Sequence, residues 1–177
     1  MNLPNKLTML RVCMVPVFVV LMLADIPNGN YWAGVIFILA SATDALDGHI
    51  ARKNNLITDF GKFMDPIADK LLVCSAMICL TAQEKLAAWM VIIIIGREFI
   101  ISGFRLVASD KGTVIAASYW GKFKIVFQMV MIIMLIYDFG EVWNILAQIV
   151  TWIALVLTVI SLVDYLKKNW SVMDGQM

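Results

Sequence analysis

Residues Asp44 to Asp69 read DALDGHIARKNNLITDFGKFMDPIAD. Two pairs of aspartates bracket a basic segment. Asp44 and Asp47 are three residues apart, and Asp65 and Asp69 are four apart. Both are same-face spacings on a helix. Apolar sequence runs away from the stretch on either side. The stretch therefore predicts two antiparallel helices joined by a short loop, with the two carboxylate pairs facing each other. Carboxylates inside apolar helices are costly, and they mark a functional site by default.

The surrounding composition sets the class. The 177 residues are 62% hydrophobic and 15% charged, with a mean hydropathy of +0.86. A soluble domain is nearer half apolar and a quarter charged. The chain reads as one all-α integral membrane domain over residues 1–177, embedded in a lipid bilayer, with no nucleic-acid partner. Cys13, Cys74 and Cys79 fall in apolar runs without metal-ligand or disulfide spacing, so they read as small packing residues. Lys6, Arg11 and the apolar run after them resemble a signal peptide, but no small-residue cleavage site follows and the segment is expected to be retained.

Six apolar stretches are each close to the ~20 residues that a span requires. They cover about 7–23, 31–51, 61–82, 86–108, 119–137 and 142–166. Asn2 to Leu10 suggests a separate short interfacial helix before the first span. Aromatic residues such as Trp32, Trp89, Trp120 and Trp143 cluster near the proposed ends, as an interfacial belt does. With six spans laid up and down, all of the 14 Lys and Arg except Lys85 fall on or near one side. The positive-inside rule makes that side cytoplasmic, with both termini there.

Helical rise then sets the depth of the carboxylates. Asp47 and Asp65 lie ~7 Å below the cytoplasmic boundary, and Asp44 and Asp69 lie ~12 Å below it. Four unpaired negative charges cannot share such a pocket without protons or cations. All-carboxylate ligation selects a hard cation such as Mg²⁺ or Mn²⁺. Carboxylates at two levels suit two ions ~4 Å apart, an arrangement used in phosphoryl transfer. Gly48 and Gly61 either admit a ligand close to the backbone or permit close helix packing. His49, on another helical face, reads as structural, and Asp59 reads as a cap for the third span.

Other charges belong near the same mouth. Arg52 is placed to clamp a diphosphate bidentately. Arg105, Lys122 and Lys124 are expected at the cytoplasmic ends of their helices, as an acceptor-phosphate pocket or as positive-inside anchors. Arg97 lies deeper, ~18 Å from the end of its helix, and is expected to line a polar cavity. Arg97 and Glu98 are adjacent and should not face each other, so each needs another partner across the bundle.

The pattern Asp44-x2-Asp47-Gly48-x2-Ala51-Arg52-x8-Gly61-x3-Asp65-x3-Asp69 resembles, at every fixed position, the signature of the CDP-alcohol phosphotransferases. Three more segments are similar to the branch of that family whose acceptor is sn-glycerol 3-phosphate. They are Asn2 to Thr8 with Arg11, Arg97 to Arg105, and Gly121 to Lys124 with Gln128; Ile125 stands where members often have threonine. The resemblance implies six membrane helices, a short N-terminal surface helix, a homodimer, and a site on the cytoplasmic side of a bacterial cell membrane. It implies two divalent ions, Mg²⁺ or Mn²⁺, on Asp44, Asp47, Asp65 and Asp69. It implies that Asn5, Thr8, Asp44, Gly48, Ala51, Arg52, Gly61 and Asp65 bind CDP-diacylglycerol, and that Asp69 is the catalytic base. Glycerol phosphate would fall to Arg105, Lys122 and Lys124, and the products would be phosphatidylglycerophosphate and CMP. Two alternatives stay open: a sibling enzyme using serine or an inositol compound, and a cation transporter. The outer half of the spans lacks the polar groups that an ion path needs.

Overall fold

The structure is a computed structural model. It describes the backbone of residues 3–53, 59–110, 115 and 118–170, and the side chains at 5–43, 61, 64–109, 115 and 118–170. Among the described residues there are six helices and no strand: α1 (Leu3–Leu23), α2 (Gly29–Lys53), α3 (Asp59–Ala82), α4 (Ala88–Asp110), α5 (Tyr119–Ile136) and α6 (Glu141–Asn169). These match the six apolar stretches to within a few residues. Three segments among the described residues are long and apolar enough to cross a membrane: Asn5–Leu23, Tyr119–Ile136 and Glu141–Asn169.

One expectation needs correcting. The N-terminal interfacial segment is not a separate helix, because α1 runs unbroken from Leu3 to Leu23. Pro4 lies in the first turn, where its missing N–H costs nothing. No glycine interrupts the run, and Pro16 is accommodated inside the helix.

The chain divides into two compact units. The first holds α1, α2, α3 and residues 135–138. Its core is a set of helical stripes: Val15, Phe18 and Met22 on α1, Ala33, Phe37 and Ala40 on α2, and Ala68, Leu72 and Ala76 on α3, all buried. Phe18 and Phe37 meet with ring centroids 6.0 Å apart. The alanines let the helix backbones approach closely, which is how membrane helices gain packing contacts. Gly29 opens α2 because a Cβ there would lie 2.5 Å from the Leu21 carbonyl oxygen. Gln83 ties the same end together: its amide Nε2 donates to the Met22 carbonyl at 2.6 Å and to Asn30 Oδ1 at 2.9 Å.

The second unit holds residues 87–134 and 139–177. The buried stripe of α6 is Ala147, Thr151, Ala154, Leu155, Thr158, Ser161 and Tyr165. The Thr151 and Thr158 hydroxyls donate to carbonyls four residues back, at 2.8 and 2.7 Å. That satisfies them without water. Met90, Ile94 and Ile101 on α4 and Met131 and Ile132 on α5 complete the apolar part of this core. Of the cysteines, Cys79 is buried as expected of a packing residue, whereas Cys13 is exposed.

Candidate functional site

In the first unit the site is built where α1 meets α3. The buried register of α1 is Asn5, Thr8, Arg11, Val15, Phe18 and Met22, at helical spacings of three and four. Its C-terminal half is apolar and its N-terminal half is polar, yet Asn5, Thr8 and Arg11 are as buried as the rest. Buried polar groups need partners. Thr8 is fully buried, and its hydroxyl donates to Asp65 Oδ1 at 2.5 Å. Arg11 Nε donates to the Ala40 carbonyl of α2 at 3.3 Å. The N-terminal polar segment is thus joined to α3 and α2 rather than lying apart as a surface anchor.

Asp65 and Asp69 are both partly buried, on one face of α3, with Gly61 buried one turn before them. Pro66 is the eighth residue of this helix, past the first turn, so it forfeits the hydrogen bond to the carbonyl of residue 62. The side chains of Asp44, Asp47, Gly48, Ala51 and Arg52 lie outside the described residues, as do those of His49 and Asp59. The backbone places Asp44 to Arg52 on the last turns of α2. Among the described residues no three His, Cys, Asp or Glu side chains converge on a metal position. The donor set on α3 nevertheless suits a hard cation: two carboxylates at i and i+4, oxygen only, in an apolar helix. Thr8 supplies Asp65 with the kind of outer hydrogen bond that orients a ligating carboxylate.

In the second unit α4, α5 and α6 converge on a polar cluster. Arg97 is 7% exposed, Lys124 1% and Ser161 0%. Glu98 Oε1 accepts from Arg97 Nη1 at 2.9 Å and also from Lys124 Nζ. Arg97 Nε donates to Ser161 Oγ at 3.1 Å, and the Ser161 hydroxyl donates to the Thr158 carbonyl at 2.9 Å. Each has the partner across the bundle that was expected, Ser161 for Arg97 and Lys124 for Glu98, but the expectation that the two do not face each other needs correcting. They do meet, because both side chains are long enough to lean into the same gap, and Lys124 is the partner across it.

The three cations expected to bind the acceptor's phosphate are placed differently. Lys124 is buried on Glu98, whereas Arg105 and Lys122 are exposed. The Arg105 guanidinium carbon lies 5.9 Å from the centre of the Tyr165 ring, within cation–π range. The part sequence reasoning missed is the pairing: Thr8 with Asp65, and Glu98 with Lys124. The available signal was register. Asn5, Thr8 and Arg11 on α1, and Lys124 and Gln128 on α5, continue stripes that are otherwise apolar and buried.

Comparison with known proteins bears on the family. A profile of the family described as CDP-alcohol phosphatidyltransferase matches residues 1–160. The chain is similar to the Bacillus subtilis CDP-diacylglycerol–glycerol-3-phosphate 3-phosphatidyltransferase, at 42% identity over 96% of this chain and 95% of the relative. Proteins of the same name are 37% identical in Haemophilus influenzae (94% of this chain, 92% of the relative) and 38% identical in Rickettsia typhi (94% and 96%). The match runs through both units and takes in every aspartate of the two pairs, and the chain belongs to the CDP-alcohol phosphatidyltransferase family.

Proposed function

We propose that the protein transfers the phosphatidyl group of CDP-diacylglycerol to sn-glycerol 3-phosphate, giving phosphatidylglycerophosphate and CMP. The names of its relatives support the substrates. The observation that carries the reading is the bond from Thr8 to Asp65. It links the N-terminal motif to the aspartate signature across 57 residues of sequence.

Asp44, Asp47, Asp65 and Asp69 would hold two divalent cations, Mg²⁺ or Mn²⁺, whose charge offsets that of the diphosphate. The partial burial of Asp65 and Asp69 in an apolar helix supports this, because ionised carboxylates there need a counter-charge. Asp69 acts as the base and takes the proton of the acceptor hydroxyl. The hydroxyl oxygen attacks the phosphorus that carries diacylglycerol, in line with the bond to CMP. That bond breaks, and CMP leaves with the electron pair. Asn5, Thr8, Gly48, Ala51, Arg52 and Gly61 shape the donor's site, with Arg52 on the diphosphate. Arg105, Lys122 and Lys124 receive the phosphate of the acceptor. Catalysis of this kind is mostly positioning and electrostatics.

The chain works as one membrane domain. All six helices cross the bilayer, with both termini and the site on the cytoplasmic side of a bacterial cell membrane, and two copies form a homodimer. The distribution of Lys and Arg supports the orientation, and the family resemblance supports the dimer. The test of the activity is acceptor competition. Purified protein with CDP-diacylglycerol and Mg²⁺ releases CMP on addition of glycerol 3-phosphate, and not on addition of serine or inositol. CMP release with serine alone would assign the chain to a sibling activity. Metal-dependent ion flux without CMP release would make it a transporter.

A further inference from the structure

Among the described residues, the cluster around Glu98 holds two cations and one anion. A buried ion pair is seldom retained for stability alone, because its desolvation offsets its attraction. The geometry of this one is specific. Arg97 and Glu98 are neighbours on α4, and their partners on α5 are three residues apart. Gly121 lies under the guanidinium: a Cβ there would sit 3.3 Å from Arg97 Nη2. One turn on, Lys124 reaches Glu98. On α6, Ser161 fixes the other side of the guanidinium through Nε. Glu98 therefore sets both cations at once, and its side chain is the most exposed of the ion-paired three, at 20% against 7% for Arg97 and 1% for Lys124.

We infer that Glu98 is a positioning residue for the acceptor's phosphate. Its carboxylate holds Lys124 Nζ in place, and it aligns Arg97 as a second cation of the same anion-binding group. The inference rests on the proposed function, in which Lys124 receives that phosphate, and it adds Arg97 and Glu98 to the machinery. Among the described residues the arrangement carries one net positive charge. That charge suits an alcohol bearing a phosphate and gives no advantage to an uncharged one. Gly121 belongs to the same device, since its missing side chain leaves the guanidinium its place.

The experiment is a steady-state measurement of CMP release in detergent micelles, with each substrate varied in turn. Glu98→Gln keeps the shape and removes the charge. It is expected to raise the KM for glycerol 3-phosphate at least tenfold and to leave the KM for CDP-diacylglycerol within about twofold. Glu98→Asp recovers part of the loss. In a Lys124→Gln background, Glu98→Gln adds little more, because the two act as one unit. If Glu98→Gln does not fold, Gly121→Ala serves instead, pressing on Arg97 from beneath. It is expected to raise the same KM severalfold without moving the other. A wild type that releases no CMP with glycerol 3-phosphate refutes the proposed function. A wild type that does so, with variants whose two KM values shift together or not at all, refutes the role of Glu98.

Discussion

Replacing Thr8 by valine removes a hydroxyl and keeps the shape. The hydroxyl donates to Asp65 at 2.5 Å from a fully buried position. A hydrogen bond to a charged acceptor contributes about 1.5–3 kcal/mol. Asp65 is partly exposed, so water can replace some of what is lost, and the lower end of that range applies. That is about a tenfold change in any equilibrium that depends on the orientation of Asp65. Outer-shell partners of metal ligands typically affect metal affinity by about 10- to 100-fold. Thr8→Val is therefore expected to raise the half-saturating Mg²⁺ concentration about tenfold. Thr8→Ser keeps the donor and stays near the wild type. The assay is CMP release across a Mg²⁺ titration, with thermal unfolding in detergent as the check on folding. An unchanged Mg²⁺ requirement in a folded Thr8→Val protein would refute the reasoning that this bond orients a metal ligand.

Other outcomes follow from the same structure. Asp69→Asn removes both the base and a metal ligand and should abolish CMP release, by 10³-fold or more on the order of lost base and metal effects together, while the protein still unfolds at a wild-type temperature. Gly34→Ala would put a Cβ 2.5 Å from the Tyr137 ring; a rigid ring gives way poorly, so a loss of about 1–3 kcal/mol in stability is expected, read as a lowered melting temperature with unchanged KM values. Between α3 and α4, burial pushes the Lys85 ammonium pKa down, and Asp138 nearby offsets part of that. The unfolded chain then binds the proton more tightly, so the penalty is present below the folded pKa and relieved as the pH rises from there to the ordinary lysine value. Lys85→Met should flatten this alkaline rise in melting temperature.

Much of the fold was legible because long apolar stretches bounded by polar breaks announce helices. The breaks at Pro27-Asn28-Gly29 and Gln83-Glu84 are polar, and the helices end there. Asn28 and Glu84 both take positive φ, at 59°; Glu84 does so just past the end of α3, where helices commonly close with such a residue. The aspartate pair on α3 was legible from its i, i+4 spacing. The continuity of α1 was not, because a polar N-terminal turn looks alike whether it lies on a membrane surface or is buried against another helix. Only tertiary contact, from Thr8 to Asp65 and from Arg11 to Ala40, distinguishes the two. The meeting of Arg97 with Glu98 was missed for a related reason. Spacing rules describe where Cβ atoms point, and long side chains such as those of Arg97 and Glu98 can depart from that direction when a common partner such as Lys124 draws them.

The central claim is a transfer reaction, and the most direct measurement follows the acceptor itself. Radiolabelled glycerol 3-phosphate, incubated with the purified protein, CDP-diacylglycerol and Mg²⁺, should move into the lipid-extractable phase in step with CMP release. The transfer should stop on chelation of the metal or in Asp69→Asn. Label that stays in the aqueous phase while CMP is released would contradict the account.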